Sequence, residues 1–198
     1  PKNIFITYFF SIFCVIVLIH AFNFIDGING LAPLIGLSWF IYILFKLPYL
    51  FHAYFIFLIF MIFFLYLNLK NKSFLGDSGN YIISSLISIL IISENLSNPN
   101  IFFVEEILLM FLVPGLDLIR LFLLRIKKKQ NPLKGDLNHF HHLLIKKYNL
   151  NSSLIIYCSL VIIPLLLYKA NGEFLIFLIF FVTAIYILII KKLAKKKY

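Results

Sequence analysis

Acidic residues are scarce in this chain: eight aspartates and glutamates stand against eighteen lysines and arginines, and charged residues make up only 13% of 198 positions. That shortage excludes a soluble globular domain. With 62% hydrophobic residues and a mean hydropathy of +1.00, too little polar sequence is left to cover a core. Cysteine is nearly absent too. Cys14 and Cys158 each sit inside an apolar run with no second cysteine at ligand spacing, which argues against a disulfide framework or a cysteine zinc site. There is no Gly/Ser linker, low-complexity tract or internal repeat, so 1–198 reads as a single membrane domain. The net charge of +10 would suit nucleic acid in a soluble protein, but these apolar runs supply no such surface, and no nucleic-acid partner is expected.

What is present is a series of long apolar runs. A hydrocarbon core of roughly 30 Å needs about 20 apolar residues in a helix, and about seven runs qualify, near 3–21, 31–48, 50–68, 79–94, 101–124, 152–169 and 173–191. The runs are continuous rather than alternating, so the expected fold is an all-α polytopic transmembrane bundle, not a barrel. Alternating the loops puts fifteen cationic residues on one side and only Lys2, Lys46 and Lys169 on the other. By the positive-inside rule the first side is cytoplasmic. All four aspartates fall near that side and all four glutamates near the opposite one, a segregation the rule does not require.

The aspartates mark the polar islands. In NFIDGINGLA (23–32), Asn23, Asp26 and Asn29 recur every third residue and would share a face in a helical turn, while Gly27 and Gly30 permit tight backbone geometry or close ligand approach. A helix-end turn capped by Asn and Asp is the structural alternative. In FLGDSGN (74–80), Asp77 stands between glycines ahead of a new span, a position suited equally to a Mg²⁺ ligand or to a helix cap by Asp77 or Ser78. Asp117 and Arg120, three apart inside the fifth span, are expected to form a structural intramembrane pair, with Arg125 at its end. Beyond them, residues 125–150 form a basic loop holding His139, His141 and His142 next to Asp136. Such a loop can neutralise a diphosphate or donate protons, or part of it can lie on anionic lipid. A histidine zinc site is a weaker alternative, since no closed four-ligand set is visible.

NFIDGINGLA, FLGDSGN, Asp117 with Arg120 and Arg125, and NPLKGDLNHFHHLL, in that order, resemble the polyprenyl-phosphate N-acetylhexosamine-1-phosphate transferases of glycosyl transferase family 4. The resemblance covers about residues 20–150. It implies a multi-pass bacterial inner-membrane enzyme with a cytoplasmic active site that, with Mg²⁺, transfers a sugar-1-phosphate from a UDP-N-acetylhexosamine to polyprenyl (undecaprenyl) phosphate and releases UMP. On this reading Asp77 is the metal ligand and acts with Asp26, His139, His141 and His142 in catalysis. Asn23, Gly27, Gly30, Gly76, Gly79, Asp136 and Arg125 contact or shape the substrate, Asp136 by supporting the histidines. The resemblance allows a homodimer without defining one. The sequence departs from the family pattern at Asn29, Asn80 and Leu137, and it lacks the family's upstream aspartate-rich motif. The expectation is therefore the C-terminal portion of a longer transferase, with little turnover from this stretch alone. A transporter and a non-catalytic scaffold are the rival classes; a transporter would place its polar groups near the midplane.

Overall fold

A computed structural model describes residues 4–99, 101–131, 137–170 and 172–194. Among these residues it contains helices and turns and no strand. Seven long helices occupy the seven expected places: α1 (Ile4–Ile25), α2 (Leu31–Lys46), α3 (Phe51–Leu69), α4 (Gly76–Ser97), α5 (Val104–Lys127), α7 (Leu150–Ala170) and α8 (Leu175–Ala194). A short helix not foreseen from the sequence, α6 (Phe140–Ile145), carries the histidines. Five segments, containing α3, α4, α5, α7 and α8, are long and apolar enough to cross a membrane. At 16 residues α2 is shorter than the roughly 20 a spanning helix needs. It is instead deeply enclosed, with Leu31, Ala32, Ile35, Trp39, Phe40 and Ile43 essentially inaccessible.

The chain forms two compact units, 1–103 and 104–198. In the first, α4 packs chiefly on α1, and α2 packs on both α3 and α4. Close packing rather than water exclusion has to hold such helices together within lipid, which favours small and locally satisfied polar residues. Both occur here. A Cβ at Gly36 of α2 would lie 2.9 Å from both Ile83 Cγ2 and Phe22 Cζ, so the absence of a side chain lets α1, α2 and α4 meet. On α4 the buried Ser84 donates to the Asn80 carbonyl at 2.6 Å and Ser88 to the Ser84 carbonyl at 2.7 Å. These serines therefore enter the packed face without stranding a hydroxyl.

The acidic residues of the first unit separate along its length. Asp26 lies in the turn after α1 and Asp77 at the start of α4, and the α1–α2 and α3–α4 turns are stitched to each other; at the far end Tyr49 hydrogen-bonds Glu94, and the Lys46 ammonium sits 5.1 Å from the Phe102 ring centre. In the second unit α5 packs on α7 and α8, and α6 packs on α7 and α8. Glu105 and Glu106 open α5, whereas Asp117 lies beyond its midpoint, toward the end that meets α6.

Candidate active site

In the first unit α1 runs four residues past its expected end, which puts Asn23 on its last turn and Asp26 just beyond it. The buried Asn80, in the first turn of α4, donates from Nδ2 to Asn23 Oδ1 at 3.0 Å and to Asp26 Oδ2 at 2.9 Å. The Gly76 N–H also donates to Asp26, and the charge of Asp77 lies close enough to be felt there. Burial raises the Asp26 pKa and the like charge of Asp77 adds to the rise, against the opposing effect of the Asn80 and Gly76 hydrogen bonds. Asp77 itself is exposed in the first turn of α4, where the helix dipole favours a carboxylate.

Asn29 does not join Asn23 and Asp26, because the helix stops at Ile25 and the turn redirects the chain. It bonds Asn71 instead. Beside it the buried Asn68 accepts from the Gly30 N–H and donates to the Ser73 carbonyl at 2.9 Å. Two asparagines thus fasten the α1–α2 turn to the α3–α4 turn. Gly30 (φ 86) and Gly76 (φ 63) hold left-handed backbone that a Cβ would strain. Gly27 is exposed. A Cβ at Gly79 would lie 2.5 Å from Leu75 Cδ1, so this glycine makes room for Leu75. The helix-cap alternatives do not appear: α2 is preceded by Gly30 and α4 by Leu75, with no side-chain cap at either.

Two recesses are lined in part by the α3–α4 turn and the start of α4. A polar one of about 510 Å³ is lined by Asn29, Asn71, Lys72, Ser73 and Phe74, the last 85% exposed. An apolar cleft of about 210 Å³, reaching Leu75 and Gly79, is lined by Pro33, Phe57, Met61 and Ile83 among others.

In the second unit Asp117 forms the expected pair with Arg120, at 2.7 Å, but it does more than that. Its Oδ1 accepts from Arg120 Nε and Nη2 and from the Tyr186 hydroxyl of α8 at 2.8 Å. Its Oδ2 faces His139 Nδ1 at 3.1 Å and accepts from the Phe140 N–H at 3.0 Å. His139 and His141 stack with ring centres 5.5 Å apart and planes 9° from parallel, and His142 lies 4.3 Å from His141. His141 is buried, and its Nε2 has no hydrogen-bond partner among the described residues. Burial, then the neighbouring His142 and His139, push its pKa down to about 3 despite the opposing pull of Asp117. It is a neutral imidazole at physiological pH. Arg125 is buried in the last turn of α5. Asp136 lies outside the described residues; among the described ones Asp117 is the carboxylate that meets His139. Among the described residues no three His, Cys, Asp or Glu side chains gather as a metal site.

Sequence reasoning missed Asn80, Asn68 and Tyr186. Asn80 had a signal, since Asn80, Ser84 and Ser88 at four-residue spacing make a polar stripe on one face of α4. Nothing in the sequence distinguishes Tyr186 from the ten other tyrosines.

A buried asparagine thus ties a half-buried aspartate beside an exposed one where the α1–α2 turn meets the start of α4. Residues 1–95 match the family model of glycosyl transferase family 4. Undecaprenyl-phosphate alpha-N-acetylglucosaminyl 1-phosphate transferases of Escherichia coli K12 and Shigella flexneri are each 24% identical over 151 residues, covering 70% of this chain and 41% of theirs. These findings bear out the resemblance carried by the four motifs. The chain spans about two-fifths of the length of these curated relatives. No solved structure matches it.

Proposed function

We propose that the chain is part of a membrane transferase that moves N-acetylhexosamine-1-phosphate from a UDP-sugar to undecaprenyl phosphate. An oxygen of the lipid phosphate attacks the sugar-bearing phosphorus, the bond between the two phosphates of the donor breaks, and UMP leaves with that bridging oxygen. Charge balances without an added oxidant or reductant. The main barrier is like-charge repulsion between the phosphates.

The observation that supports this reading is the Asn23–Asp26–Asn80 cluster beside Asp77. Its donors are hard oxygens: two carboxylates held near each other, with the Asn80 Oδ1 buried and without a hydrogen-bond partner among the described residues. That set fits Mg²⁺, which takes one or two carboxylates and completes its shell with water and phosphate oxygens. Asp77 would hold the ion, with Asp26 alongside. When bound, it supplies positive charge to the phosphates. Asp26 is the carboxylate we assign to take up a proton brought in on the lipid phosphate. Phe74, Lys72 and the amides of Asn29 and Asn71 offer an aromatic face, a cation and paired donors and acceptors for the nucleotide. The cleft at Gly79 offers apolar walls for the first isoprene units. By the positive-inside distribution the site is cytoplasmic.

Exchange of labelled UMP with UDP-GlcNAc, in membranes carrying the full-length gene product, tests this reading. The expected result is Mg²⁺-dependent exchange that falls at least about a hundredfold in Asp77→Asn. Exchange without metal, or an undiminished variant, contradicts the metal assignment.

A further inference from the structure

Asp117 sits within an apolar helix, only 4% exposed, and five donors converge on it. A structural ion pair with Arg120 needs only one of its two oxygens. The second oxygen is devoted to the chain entering α6, namely the His139 ring and the Phe140 N–H. A carboxylate can only accept, so His139 carries a proton on Nδ1, and whenever the ring is neutral Nε2 is its basic nitrogen. Arg120 in turn donates from Nη2 to the Asn138 carbonyl at 2.6 Å, gripping the residue just before the histidine. Tyr186 anchors the same carboxylate from α8. The Phe140 ring, packed 5.0 Å from Tyr186 and 5.5 Å from Tyr157, fixes the start of α6 from the other side.

We propose that Asp117, held by Arg120 and Tyr186, is a positioning residue that fixes the tautomer and ring orientation of His139, so that Nε2 addresses the substrate phosphates. The proposal rests on the transferase reading for its substrate, but the tautomer can be tested without it.

Asp117→Asn makes a sharp variant. Two guanidinium N–H groups and the Tyr186 hydroxyl meet the Oδ1 position, against the His139 ring and one backbone N–H at Oδ2, so the amide oxygen is favoured at Oδ1 and the new NH₂ turns toward His139, at the cost of the Phe140 N–H bond. Nδ1 then becomes the acceptor, and the proton moves to Nε2. In the full-length protein with ¹⁵N-labelled histidine, the His139 signal should change from the Nδ1–H to the Nε2–H pattern. UMP exchange should lose about a hundredfold in kcat with KM little changed. Tyr186→Phe, which leaves the Asp117–His139 contact in place, should give a smaller kcat loss and keep the Nδ1–H pattern. On a His139→Gln background, Asp117→Asn should cost little more. An unchanged tautomer in folded Asp117→Asn, or an equal loss with and without His139, overturns the proposal. Wild-type protein that exchanges no UDP-sugar overturns the transferase reading instead, and the tautomer measurement still decides the Asp117–His139 pair.

Discussion

A single neutral imidazole shows how burial sets chemistry at the scale of one residue. His141 is enclosed between two other histidines, and its pKa falls to about 3 from an unfolded value of 6.5. Between those values the unfolded chain binds a proton that the folded chain does not. Stability is therefore full above about pH 6.5 and is lost as pH falls toward 3, by up to a few kcal/mol from this group. Thermal unfolding across that window should show the slope, and His141→Phe should flatten part of it; an unchanged slope would refute the assignment. The sequence announced three histidines but not that the middle one is buried, because burial comes from α6, a helix of six residues too short for a periodic signal. Asp117 teaches the same lesson. Its pairing with Arg120 follows from three-residue spacing, whereas its contact with His139 crosses 22 positions and depends on how the chain folds back.

Elements were the most legible level. Seven apolar runs became seven long helices with ends shifted by a few residues, because continuous apolar sequence leaves a backbone in lipid no better way to satisfy its hydrogen bonds. The shifts matter most at α1 and α4. Extending α1 to Ile25 put Asn23 on a helix beside Asp26, and starting α4 at Gly76 brought Asp77 and Asn80 onto its first turn. Where helices meet, small residues decide the approach. Gly36→Val would drive a methyl into the space held by Ile83 and Phe22. It should destabilise the protein by about 1–3 kcal/mol, seen as a lowered unfolding temperature in detergent, with Gly36→Ala milder. A Val variant as stable as wild type would show that α1 and α4 can separate freely there.

For the molecule as a whole, charge distribution carries the prediction. Within the first unit the Asp26 and Asp77 turns lie together at one end, and the Lys46–Phe102 and Tyr49–Glu94 contacts lie at the other. The positive-inside rule predicts that the aspartate end faces the cytoplasm. Single cysteines in place of Lys72 and Asn98 should therefore label from opposite sides of sealed vesicles, Lys72→Cys from the cytoplasmic side. Labelling with the two sides exchanged would reverse the orientation, and both labelling from one side would break the span between them. Much of α3 faces outward, with only 6% of its apolar window buried, and Ile56, Phe60 and Phe63 are exposed; a lipid environment accounts for a surface no water-soluble protein would keep.

By itself the sequence determined the class, the helices and the four motifs, because hydrocarbon solvation acts on local composition and a polar break in an apolar run shows wherever it occurs. Only the tertiary structure decided which polar groups face each other. It joined Asn80 to Asp26 across 54 positions and Tyr186 to Asp117 across 69, and it made Gly79 a packing residue for Leu75. Such pairings depend on helix rotation and on the path of turns, and neither is written in the period of an apolar run. The four aspartates were visible from the start; their partners were not.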